Sequence, residues 1–248
     1  MFSTINNQQV FYQKLGKGKD ILMVHGWGQD VSTFWQIAEK LKEEYTLWLI
    51  DLPGFGRSEV PKKDFDNQQY AEILKGFVED QKLHKPHYLG HSVGGRVGIK
   101  LLSQYGHLFD KVILEDSAGI KPKQDGIKPF LYLGAKAFNI LLPEFLVLKP
   151  LLRYHFYKGL ESDYINAGEM KGTLKNLLAE DLTDHLVKIP NETLLIWGEK
   201  DQAVPLSDGK KMNRLIPNAR IEVLDNVGHF PHLENEKMFL QYLRDFLS

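Results

Sequence analysis

A serine stands between two glycines, each two positions away, in Gly90-His91-Ser92-Val93-Gly94. The stretch follows a short apolar run ending at Leu89 and opens a helix-like run from Arg96 to Tyr105. A serine at the tip of so sharp a strand-to-helix turn takes a strained backbone conformation, and side chains two residues to either side would collide. Gly90 and Gly94 remove that collision, and Gly95 lets the helix pack close to the sheet. The turn exposes the Ser92 hydroxyl and aims the free N–H groups of a helix N-terminus at the same point. The chemistry on offer is nucleophilic attack.

A serine hydroxyl is a weak nucleophile at neutral pH. It needs a base, and the base needs an orienting carboxylate. With the nucleophile on such a turn, the expected chain order is Ser, Asp, His. Asp201 follows the apolar run Thr193–Trp197, and His229 follows Ile221–Leu224. His232 competes with His229, which is preferred because Gly228 suits a tight loop. Asp116, after Val112-Ile113-Leu114, is the main rival of Asp201, and Glu199 is another. The expected roles are Ser92 as nucleophile, His229 as base and Asp201 as the acid fixing the imidazole tautomer. An oxyanion forming on the substrate needs two backbone donors. These are assigned to the N–H groups of Val93 and of Trp27, the latter in His25-Gly26-Trp27-Gly28. His25 and His91 are expected to scaffold their loops, and Arg57 to tie the 51–58 loop by hydrogen bonds.

The elements that position these residues follow from periodicity. Ile21-Leu22-Met23-Val24 and Leu47-Trp48-Leu49-Ile50 are wholly apolar runs, as in strands buried on both faces of a parallel sheet. Helical spacing follows at 32–41 and 67–81. Strands and helices alternate from Ile21 to Leu114, which predicts an α/β, doubly wound, mostly parallel sheet. Ligands bind such sheets outside the carboxyl ends of the strands. The loops 25–28, 51–58 and 90–95 all follow strands and so share that edge. The alternation breaks from 119 to 188, where helical runs are bounded by prolines and glycines. This segment is expected to be a helical cap inserted in a core formed by 1–118 and 189–248.

Bulk properties narrow the class. A net charge of −1 gives no global attraction to nucleic acid or an anionic membrane. With no cysteine there is no disulfide and no thiolate chemistry. The nine histidines include no His-x-x-x-His pair in a convincing helical run, so no metal is expected. The N-terminus lacks the pattern of a signal peptide. The most apolar stretch, 130–148, is broken by Lys136, Asn139, Pro143 and Glu144. The expected location is cytoplasmic.

Taken with Asp51-Leu52-Pro53-Gly54-Phe55-Gly56-Arg57-Ser58 and Trp197-Gly198-Glu199-Lys200-Asp201, the motifs resemble the α/β-hydrolase superfamily over nearly the whole chain. The resemblance implies an eight-stranded sheet, a helical cap over the site and no cofactor. Relatives that open epoxides or displace halide carry Asp at the turn. Ser92 therefore points to acyl transfer, and the chain is similar to small bacterial carboxylesterases, including the pimeloyl-carrier methyl esterase type. Carbon–carbon bond hydrolases of meta-cleavage pathways are the alternative. They typically carry Gly-Pro-Gly after the first His-Gly, where this chain has Trp27-Gly28-Gln29.

Specificity is expected to reside in the insertion. Its first half is basic (Lys121, Lys123, Lys128, Lys136, Lys149, Arg153 and Lys158) and its second half acidic. One reading is a solvated surface whose halves attract. The other is that the basic half docks an anionic group, such as a carrier-protein phosphopantetheine or a substrate carboxylate. Apolar residues from Phe130 to Leu148 suggest an acyl or aromatic pocket.

Overall fold

The structure, a computed structural model, describes residues 1–121 and 168–248. The described strands are β1 (Phe2–Ile5), β2 (Gln8–Gly16), β3 (Lys19–Val24), β4 (Tyr45–Ile50), β5 (His87–His91), β6 (Val112–Glu115), β7 (Thr193–Gly198) and β8 (Ala219–Leu224). They form one eight-stranded sheet in the order β1-β2-β4-β3-β5-β6-β7-β8. The β1–β2 and β2–β4 pairs are antiparallel, and every later pair is parallel. The described helices are α1 (Trp35–Leu41), α2 (Asn67–Asp80), α3 (Val93–Tyr105), α4 (Lys171–Ala179), α5 (Thr183–Leu186), α6 (Leu206–Leu215), α7 (Pro231–Glu234) and α8 (Glu236–Leu247). None of them is long and apolar enough to cross a membrane.

Strand alternation sorts the core into two layers, because successive side chains point to opposite faces. Leu22, Val24, Trp48, Ile50, Leu195 and Trp197 join a cluster with Leu74 and Phe77 of α2, Val97 and Leu101 of α3 and Met212 of α6. Ile21, Met23, Leu47, Leu49, Leu194 and Ile196 join the other, with Ile37 and Leu41 of α1 and Phe239 and Leu243 of α8. Both faces are covered, which is the doubly wound arrangement. Asp66 caps α2 through a capping box with Gln69, satisfying donors that the helix start leaves free.

The N-terminus adds two antiparallel strands to the sheet edge. It forms a hairpin whose two-residue loop, Asn6-Asn7, has φ of 50° and 62°. Asparagine tolerates this left-handed region, and such turns match strand twist. The helix expected over 32–41 begins as a 3-10 turn at Val31–Phe34. In the segment expected as a cap, the runs before 168 lie outside the described residues, as do Lys123 to Lys158 and the apolar stretch 130–148. The described remainder packs down: Leu177, Leu182 and Leu186 belong to the cluster formed with α2 and α3. The Leu182 N–H donates to the Gly119 carbonyl oxygen at 2.9 Å, joining the two ends of the segment.

Candidate active site

Ser92 lies between β5 and α3 with φ 52° and ψ −111°, a conformation that costs energy for any residue but glycine. Neighbouring strands hold it there. Its N–H donates to the Glu115 carbonyl oxygen at 3.0 Å, and its own carbonyl oxygen accepts the N–H groups of Arg96 at 3.0 Å and Ala118 at 3.1 Å. The flanking glycines are sterically required. A Cβ on Gly90 would lie 2.7 Å from the Gly94 carbonyl carbon, and one on Gly94 would lie 2.1 Å from the Val24 carbonyl oxygen. A Cβ on Gly95 would lie 2.3 Å from the Ser117 hydroxyl oxygen, so α3 approaches the sheet edge as expected.

Three residues far apart in sequence meet at the carboxyl edge of the sheet. The Ser92 Oγ–H faces His229 Nε2 at 3.1 Å, and His229 Nδ1–H donates to Asp201 Oδ2 at 2.7 Å. The side chain of Asp201 is fully buried and that of His229 is 12% exposed. Asp201 Oδ1 accepts the N–H groups of Ala203 at 2.8 Å and Val204 at 3.1 Å, so its orientation is set from the β7 side.

The loop carrying His229 is held at several points. Glu234 accepts the Gly228 N–H at 2.7 Å and the Phe230 N–H at 3.3 Å. His91 Nε2–H donates to the His229 carbonyl oxygen at 2.7 Å. The rivals raised by the sequence have other partners. His232 Nδ1–H donates to Glu115 Oε1 at 2.7 Å, with both side chains fully buried. Glu199 accepts the Asn226 N–H at 3.0 Å. Asp116 stays near: one oxygen each from Asp116 and Asp201 and one nitrogen from His229 lie within 4.8 Å of one another. These three could hold a cation, but Asp201 and His229 are already bonded to each other.

The 25–28 loop approaches the nucleophile so closely that a Cβ on Gly26 would lie 3.2 Å from the Ser92 Cβ. No hydrogen-bond partner among the described residues takes the backbone N–H of Trp27 or of Val93. The Trp27 ring is half-buried and packs edge-on against Phe55 at 4.8 Å. His25 joins two loops, with Nδ1–H donating to the Gly26 carbonyl oxygen at 2.7 Å and Nε2 accepting the Leu52 N–H at 3.0 Å. Burial holds its pKa below the ordinary histidine value, as it does for His91. In the 51–58 loop the Arg57 main-chain N–H donates to Asp51 Oδ2 at 2.8 Å and the Ser58 hydroxyl to the Asp51 carbonyl oxygen at 2.6 Å. The Arg57 guanidinium lies over the Phe11 ring at 4.6 Å.

Sequence reasoning missed the Glu115–His232 pair. The available signal was an acid ending the otherwise apolar run Val112-Ile113-Leu114, since a buried carboxylate requires a partner.

The comparisons with known proteins agree with this architecture. The chain is 27% identical to 2-hydroxy-6-oxo-6-phenylhexa-2,4-dienoate hydrolase of Burkholderia cepacia, covering 100% of this chain and 96% of that protein. It is also 27% identical to the pimeloyl-[acyl-carrier protein] methyl ester esterase of Aeromonas salmonicida, covering 96% and 99%. The esterase of Exiguobacterium antarcticum shares the fold, with a TM-score of 0.81 at 24% identity over 99% of this chain and 98% of that one. A model of the alpha/beta hydrolase family matches residues 21–241, and this chain belongs to that family.

Proposed function

We propose that the protein is a serine hydrolase cleaving a small-to-medium carboxylic ester through Ser92, His229 and Asp201, by way of an acyl-enzyme. The observation that carries this reading is the unbroken relay from Asp201 Oδ2 through the His229 ring to Ser92 Oγ, at 2.7 and 3.1 Å. Ser92 Oγ attacks the ester carbonyl carbon while its proton passes to His229 Nε2. The oxyanion is met by the N–H groups of Trp27 and Val93. Collapse expels the alcohol, which takes the proton from Nε2, and leaves the acyl group on Ser92. Water then attacks the acyl carbon, giving its proton to the same nitrogen, and the acid leaves as Ser92 recovers its hydrogen. Asp201 keeps the Nδ1–H tautomer throughout.

The similarity to the Aeromonas methyl ester esterase supports an ester and extends the proposal to an acyl chain carried on a protein. The equal identity to the Burkholderia hydrolase keeps carbon–carbon bond hydrolysis of the meta-cleavage-product type as the second reading. Residues 119–188 are read as the segment that selects the substrate, supported by the Gly119–Leu182 hydrogen bond closing its base.

The test is fluorophosphonate labelling followed by a p-nitrophenyl ester series of increasing acyl length. Wild type labels and turns over at least one ester, while Ser92→Ala does neither. Turnover persisting in Ser92→Ala removes the nucleophile assignment. A protein that hydrolyses vinylogous diketones but no ester supports the second reading.

A further inference from the structure

Asp116 follows β6 directly and has no part in the relay. Its φ is 39°, left-handed for a residue with a side chain. The residue is fully buried, with Oδ1 accepting the Gly198 N–H at 3.0 Å and Oδ2 bonded to no described residue. Its N–H donates to the Ile196 carbonyl oxygen at 3.0 Å, so the main chain is pinned between β6 and β7. Each of these structural tasks suits asparagine equally well. Asparagine favours positive φ, and its side-chain oxygen would accept the Gly198 N–H without placing an ionisable group in the interior. What aspartate adds is a carboxyl group within 4.8 Å of Asp201 and His229.

We propose that Asp116 is a second acid of this site, held in reserve beside Asp201 and able to orient the His229 imidazole when position 201 carries no charge. The inference rests on the Ser92–His229–Asp201 reading. The electrostatics explain why the two acids do not compete. Burial holds the Asp116 carboxyl well above the usual carboxylate range; Asp201, Glu115 and Glu234 push it further up, and the Gly198 N–H works against them. Two adjacent buried carboxylates do not both ionise cheaply. While Asp201 carries the charge, Asp116 stays protonated and neutral. Removing the Asp201 charge removes the second-largest cause of that shift, so Asp116 ionises more readily beside the imidazole. Around it stand Glu115 from β6, paired with His232 of α7, and His229 from the loop after β8. On this proposal a side-chain rotation carries the Asp116 carboxylate, now within 4.8 Å of the imidazole nitrogen, into the space left by the missing one.

A double-mutant cycle of wild type, Asp116→Asn, Asp201→Ala and the double variant tests this, with ester hydrolysis as the first readout. Loss of a triad acid typically costs ~10⁴-fold in kcat, whereas Asp201→Ala here is expected to lose only ~10²-fold, with the remainder lost in the double variant. The residual activity of Asp201→Ala rises with pH as Asp116 ionises, and this limb is absent from the double variant. A second readout needs no substrate. The low-field Nδ1–H proton resonance of His229 persists in Asp201→Ala and disappears when Asp116→Asn is added.

Melting curves establish folding for each protein. Should Asp201→Ala unfold for want of an acceptor for Ala203 and Val204, Asp201→Ser supplies a hydroxyl acceptor, leaves the space beside the imidazole open and takes its place. Agreement of the single Asp201 variant with the double in rate, pH profile and proton spectrum overturns the proposal. Failure of wild type to label or turn over an ester would instead remove the esterase reading, and the proton spectrum would still decide the question of Asp116.

Discussion

His91 Nε2 donates to the main-chain carbonyl oxygen of His229 at 2.7 Å, so the residue before Ser92 grips the loop that carries the imidazole. The carbonyl can only accept, which places the ring proton on Nε2. Burial, reinforced by the neighbouring His229 and His232, keeps the ring neutral. Replacing His91 by alanine removes one hold on the loop and the packing of its ring against the His229 ring, 4.8 Å between centroids, while the hydrogen bonds of the relay itself keep their partners. A misplacement of about 1 Å at a reacting centre costs on the order of 100-fold, so kcat for His91→Ala is expected to fall by ~10- to 100-fold with a smaller change in KM. Steady-state kinetics on an ester substrate check this. A change confined to KM would mean that His91 does not position His229.

Gly94 bears on stability as well as geometry. A Cβ there would press on the Val24 carbonyl oxygen, a main-chain atom fixed within the sheet. Overpacking a site that cannot yield costs about 1–3 kcal/mol or more, so Gly94→Ala should melt several degrees below wild type. It should also lose ester turnover, because the strain falls on the turn that presents Ser92. Thermal unfolding and hydrolysis measured on the same preparation check both effects.

Arg96 ties α3 to residues 177–180. Its Nε donates to Asn67 Oδ1 at 3.1 Å and its Nη2 to the Glu180 carbonyl oxygen. Asn67 passes the connection on, donating to the Leu177 carbonyl oxygen at 3.1 Å and to Glu180 Oε2 at 2.8 Å. Burial lowers the Arg96 pKa to about 10, which leaves it charged at neutral pH. Arg96→Ala strands buried acceptors and should cost ~3 kcal/mol in urea unfolding. Lys100→Ala removes the partly exposed 2.6 Å bond to Glu180 and a longer 3.4 Å contact with His185 Nε2, and should cost about 1 kcal/mol or less. The reverse order would show that the network does not hold the segment.

Acid sensitivity has an identifiable contributor in His87, whose Nδ1 accepts the Lys111 N–H at 3.2 Å. Burial pushes its pKa down from 6.5 to about 4, with Asp110 opposing and Lys19 and Lys111 assisting. Between those values the unfolded chain takes up a proton that the folded chain refuses. The His87 contribution to stability is therefore complete above pH 6.5 and is lost as the pH falls towards about 4. His25 and His91 act in the same direction. Denaturant unfolding as a function of pH should show this decline, and His87→Gln should flatten part of it.

Local rules made much of this architecture legible. The burial of β3, β4 and β7 on both faces, legible in their apolar runs, and the glycine spacing around Ser92 rest on rules that act within a few residues. The N-terminal strand is not legible, because Phe2-Ser3-Thr4-Ile5 is short, with an apolar residue only at each end, and gains its place by pairing with β2. The Glu115–His232 pair was hidden for a related reason, since its members are 117 positions apart and nothing local marks either for the other. Asp116 could rival Asp201 in the sequence because both follow strands that end on one edge. The His229 ring bonds Asp201, and Asp116 stands close by. For Arg57 the expected tie across the 51–58 loop is made by its main-chain N–H, and its guanidinium covers Phe11.

The hydrogen bond from Leu182 to Gly119 has a consequence for how such a protein can diversify. The two ends of the intervening chain are clasped to each other, and Ala118, next to one of them, is bonded to the Ser92 carbonyl oxygen. Lengthening a loop whose ends are already closed costs little, because closure entropy grows only slowly with length. The number of residues between Gly119 and Leu182 can thus change while the frame behind Ser92 is inherited intact.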